Sequence, residues 1–121
     1  MQYRPSAAEL LAAIAELLED EVIDALKGPV QHKARVAANL ARILEREALL
    51  ADSNNAHERA MLAGLGIADT GSLDTMRAHL SGQLRAGASG SSNADIWNAL
   101  MDITRGDLAI CKPGHDDWTG E

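Results

Sequence analysis

The chain has 121 residues, enough for one hydrophobic core and too few for two ordinary domains. Hydrophobic residues make up 46% of it, Phe is absent, and Tyr3, Trp97 and Trp118 are the only aromatics, so an aliphatic, alanine-rich, helical core is expected rather than a sheet. A net charge of −7 argues against nucleic acid or an anionic membrane as a partner, because both recruit clustered cations.

In chain order, the first helix is predicted from Ser6 to about Leu26. Ser6 and Glu9 have the spacing of a capping box, and Leu10, Ile14, Leu17, Leu18 and Val22 follow at helical intervals. Gly28-Pro29 ends it, and a second helix is predicted over roughly residues 30 to 50. "ADSNNA" reads as a turn, with Asn55 and Glu58 capping a short third helix that stops near "GLG". Ser72 caps a fourth helix, about 73 to 86, with Leu73, Met76, Leu80 and Leu84 inward. After the Gly/Ser loop "AGASGSSN", Ser92 and Asp95 cap a fifth helix from near Asn93 to about Cys111. It is expected to bury Ile96, Trp97, Leu100, Ile103, Thr104 and Leu108. The expected architecture is all-α: a single bundle of about five helices over residues 1–112, with a long antiparallel N-terminal hairpin and an extended tail over 113–121.

The second helix carries an oddity. Its apolar stripe, centred on Leu40 with Val36, Ile43 and Leu44 within about 60°, also includes Lys33 at one end and Glu47 at the other. In a hairpin folded near Gly28, Glu47 falls beside Arg4, and Lys33 comes within reach of the acids of the first helix. That helix holds six acids and no base. The structural reading is an ion pair between Glu47 and Arg4 and a snorkelling Lys33; the functional one is a polar pocket containing Glu47. Asn39, at the edge of the stripe, is expected to hydrogen-bond another helix. Arg35, Arg42 and Arg46 project on the opposite face, where they are solvated, pair with nearby acids, or form a basic stripe for an acidic partner. The candidate polar cluster is Arg4, Arg35, Asn39, Arg46 and Glu47.

No catalytic, cofactor-binding or metal-binding constellation stands out. His32, His57, His79 and His115 make no ligand pair on a helix face, "GASGSS" lacks the strand and lysine of a phosphate loop, and Cys111 falls on an apolar face as an inert buried thiol. A single cysteine without a disulfide partner fits a reducing compartment, the N-terminus lacks the basic region of a signal peptide, and cytoplasmic is the default. Trp118 is expected to dock either on its own bundle or on a second chain.

"RPSAAELLAAIAELLEDEVIDAL", "RVAANLARILERE" and "LAICKP" resemble an uncharacterised family of small bacterial helical domains. The resemblance covers most of the chain, and only the "RVAAN…RE" segment, with Arg35, Asn39, Arg46 and Glu47, is distinctive. It implies genes set beside acyl-CoA dehydrogenases and aminoglycoside-phosphotransferase-like kinases, and no assigned activity. Where the family has an aromatic and a histidine, this chain has His32 and Lys33; where it has Asn-Pro, this chain has Lys112-Pro113. Two functions stay open. One is a non-enzymatic interaction or accessory module, a homodimer or a partner of such a neighbouring enzyme. The other is a ligand-binding or catalytic bundle with Arg35, Asn39 and Glu47 in a polar pocket.

Overall fold

The computed structural model describes residues 4–69, 71–87 and 90–114. These residues are helical or irregular, with no strand among them. Helix α1 spans Ala7–Leu17 and continues through a widened π turn, Leu18–Val22, into a last turn, Ile23–Ala25. The expected capping box is present: Glu9 N–H donates to the Ser6 hydroxyl, and the Ser6 N–H donates to the Glu9 carboxylate. Leu26 is extended and Gly28 takes φ 69°, a left-handed conformation that costs a side-chain-bearing residue energy. Pro29 then opens α2, where its missing N–H is no loss.

Helix α2 spans Pro29–Gly64 and departs most from expectation. The predicted turn at "ADSNNA" is helical throughout, so the five expected helices become four. The expected hairpin of two matched rods is not found either, because the second rod runs 36 residues. Ser, Asn and Asp disfavour helix by only about 0.5 kcal/mol each relative to Ala. With no Gly or Pro among them, tertiary anchors outweigh that preference: the Asn54 amide donates to the Gly106 carbonyl at 2.9 Å. Helix α3 spans Leu73–Ala86, capped by Ser72 and ended by Gly87 at φ 65°. Helix α4 spans Asn93–Cys111, with Asp95 N–H donating to the Ser92 hydroxyl. Both match their predicted limits.

The chain forms two compact units, Met1–Ala51 with Ile110–Pro113, and Asp52–Ala109 with Gly114–Glu121. The core of the second contains Leu62, Leu65, Ile67, Met76, Leu80 and Ile96. Trp97 is 65% exposed, Leu84 and Leu100 are partly exposed, and Thr104 is exposed with its hydroxyl donating to the Leu100 carbonyl. Only part of the stripes predicted for these helices is therefore buried. In the first unit the buried apolar side chains are alanines: Ala15 on α1, and Ala34, Ala38 and Ala41 on α2. Across the Gly28 turn, the Gln31 amide donates to the Ile23 carbonyl at 2.9 Å, and the Arg42 guanidinium forks onto the Glu19 carboxylate at 3.0 Å on both oxygens.

Candidate interaction face

Alanines are the fully buried apolar residues of the first unit, Leu11, Leu18, Val22 and Ile43 are partly buried, and several other large aliphatic side chains point out, among them Val30 and, on the Arg42 flank, Leu49. Leu10, Ile14 and Leu17 of α1 and Val36, Leu40 and Leu44 of α2 are each 44–54% exposed. At 100° per residue, Leu10, Ile14 and Leu17 lie about 100–160° to one side of Ala15, while Glu19 lies on its other flank, within about 40°. On α2, Val36, Leu40 and Leu44 lie about 80–160° to one side of Ala34, and Arg42 lies about 80° to the other. The Glu19–Arg42 fork joins the two polar flanks, so Ile14, Leu40 and Leu44 fall toward the opposite side of the unit, with Leu17 and Val36 turned to the outer backs of their own helices. Together the six aliphatic side chains leave on the order of 500 Å² of apolar surface in water, the size of the largest patch on an ordinary monomer.

The polar flank is held by ion pairs. Arg42 also bonds Glu45 at 2.9 Å, one turn along α2. Hydrogen bonding from Arg42 holds the Glu19 carboxyl below the ordinary carboxylate range, and the two carboxylates make Arg42 harder to deprotonate than a free arginine. Arg46 donates to the Ile110 carbonyl at 2.7 Å. Ile110 is in the last turn of α4, where carbonyls have no helical partner, so Arg46 acts as a capping cation there.

Of the residues predicted as a cluster, Arg35, Asn39 and Arg46 fall on one flank of α2, and Arg4 and Glu47 are not paired with each other. Arg4 bonds Glu9, not Glu47. Glu47 is exposed with no ion-pair partner among the described residues, because Glu9 lies nearer to Arg4 along the chain and already completes the capping box. Arg35 and Asn39 are exposed, and Asn39 makes none of the expected interhelical bonds among the described residues. Arg35, Asn39 and Arg46 share a flank of α2 by spacing, about 40° wide, yet only Arg46 reaches another element. Cys111 is exposed rather than buried. Trp118 and the His115-Asp116-Asp117 run lie outside the described residues.

The second unit holds a feature with no sequence signal. Glu58 is 6% exposed and receives two bonds from Arg77, at 2.5 and 2.6 Å. Arg77 reaches Asp74 as well, at 3.0 Å, and the Glu58 bonds hold its proton more firmly than in a free arginine. This pair borders a cleft of about 410 Å³ floored by Leu80, Leu84, Leu100 and Ile103, with Arg85 beside it. None of the lining residues belongs to the predicted cluster. A helical Glu followed by Arg nineteen positions on is legible only once α2 and α3 are known to face each other. Elsewhere in this unit, Arg59 bonds Asp69 at 2.6 Å, and Asp69 accepts from the Gly71 N–H at 2.9 Å; that N–H first, and then Arg59, lower the Asp69 pKa.

Among the described residues no three His, Cys, Asp or Glu side chains converge on a metal position, and no helix is long and apolar enough to cross a membrane. No curated protein and no solved structure matches the chain significantly. The profile of one family, described as Domain of unknown function (DUF6285), matches residues 24–115, most of both units, and the chain belongs to that family.

Proposed function

We propose that this protein is a non-enzymatic helical interaction module whose docking surface is the aliphatic side of its first unit. One observation carries the reading: six large aliphatic residues on two helices stay about half exposed, while the fully buried apolar residues of the unit are alanines. Burying one such side chain is worth about 1.5–3 kcal/mol. A chain that turns them to water keeps that free energy for association. The genomic setting implied by the sequence resemblance makes an acyl-CoA dehydrogenase or a phosphotransferase-like kinase the enzyme such a module would serve, in a bacterial cytoplasm where a lone exposed thiol stays reduced. Substituting Ile14→Ser together with Leu40→Ser should abolish specific association of the purified full chain, with itself or with such an enzyme, and leave the helical circular dichroism intact. Association that survives both substitutions would overturn the reading.

A second reading, small-ligand binding, is favoured by the cleft of the second unit rather than by Arg35, Asn39 and Glu47. Its apolar floor suits an aliphatic chain, and Arg85 supplies a cation for a carboxylate head on a lining that also carries the acids Glu58 and Asp107. Octanoate titrated into the labelled protein should shift the amide resonances of α3 and α4 saturably; unshifted spectra at millimolar octanoate would remove this reading.

A further inference from the structure

We infer that the occupant of the aliphatic side is a second copy of this chain, with α2 packed antiparallel on its own copy about a twofold axis at Leu40. The inference rests on the interaction reading and names its partner. Lys33, Leu40 and Glu47 recur every seven residues, the interval that keeps positions in register along a helical seam. Val36 and Leu44 stand symmetrically about Leu40. A twofold axis there sets Leu40 on Leu40, Val36 on Leu44, and Lys33 on Glu47 at both ends. A parallel arrangement would instead set Lys33 on Lys33 and Glu47 on Glu47. A closed twofold contact requires a patch that is its own complement under reversal, and this stripe meets that condition in both apolar and charged positions.

The charges support this independently. Lys33 and Glu47 are exposed without an ion-pair partner among the described residues and are the charged residues within the Leu40 stripe, while on the other flank Glu19, Arg42, Glu45 and Arg46 are engaged and Arg35 is not. A cation and an anion left free at opposite ends of an apolar stripe are satisfied together by one reversed copy. The six aliphatic side chains leave about 500 Å² of apolar surface in water, so a contact centred on the α2 stripe is a small one, short of the roughly 800 Å² per partner of a standard interface.

Sedimentation equilibrium of the full chain at about 100 µM should give twice the 12.8 kDa chain mass. Lys33→Glu and Glu47→Lys should each weaken the dimer about tenfold, and the double exchange on one chain should restore it, as only the antiparallel register allows. In a Cys111→Ser background, Leu40→Cys should form a disulfide-linked dimer on mild oxidation, and Leu44→Cys should not. A dimer indifferent to the charge exchanges and unlinked by Leu40→Cys would overturn the register. A monomer at that concentration would overturn the second copy as occupant. If the monomer also binds the apolar dye anilinonaphthalene sulfonate, and Leu40→Asp abolishes that binding, the interaction reading survives with a different partner; a monomer that ignores the dye overturns both.

Discussion

Glu58 is the most demanding residue in the molecule, a carboxylate 6% exposed whose charge is met by Arg77. Removing one partner of a buried pair costs about 3–5 kcal/mol, because the other is left uncompensated. Arg77 is itself half exposed, so Arg77→Ala should cost about 3 kcal/mol, at the low end of that range, read as a shift in the urea midpoint. Glu19 and Asp69 are surface carboxylates with depressed pKa values, from ordinary values of 4.5 and 3.8. A depressed folded pKa adds stability above the ordinary value that is lost as pH falls through the folded value. Urea midpoints should therefore fall as pH drops below about 4.5, and Glu19→Gln should flatten that dependence. The capping residues Ser6, Glu9, Ser72 and Ser92 were legible in the sequence because a cap is a local device. The Arg77 partner of Glu58, and the exposure of Glu47 and Asn39, were not, because each depends on what another element brings near.

At the scale of the helices, the limits of α3 and α4 follow from Gly, Ser and Pro punctuation and match the sequence reading. The continuation of α2 through "ADSNNA" does not, because those residues weaken a helix without interrupting it. The π turn at Leu18–Val22 left no mark in the apolar spacing. Asn55 offers a discriminating substitution, being exposed in the middle of α2. Asn55→Ala should stabilise the protein by about 0.5 kcal/mol, the difference in helix propensity. Were Asn55 a capping residue at a turn, the same substitution would cost about 1 kcal/mol. A thermal melt decides the sign. The heptad-like stripe on α2 was visible in the sequence, but its direction was not. Periodicity shows that apolar residues share a side; whether that side faces the core depends on what competes to fill it, and here Ala34, Ala38 and Ala41 won.

At the scale of the whole molecule, helical class and lack of strand followed from composition, and both are found among the described residues. Division into two compact units did not follow, since the apolar content alone does not say how it is shared out. If a second copy binds only the folded chain, mass action ties stability to concentration. The thermal midpoint should then rise by a few degrees from about 1 to about 100 µM chain, and Leu40→Asp should make it independent of concentration. Trp97, 65% exposed in the second unit, bears on how such experiments are read. Trp97 and Trp118 are the only indoles in the chain, so Trp118→Phe leaves Trp97 as the sole tryptophan emitter. Quenching or a blue shift in that variant would report a change in the surroundings of α4 in the second unit, on whose surface the remaining indole stands.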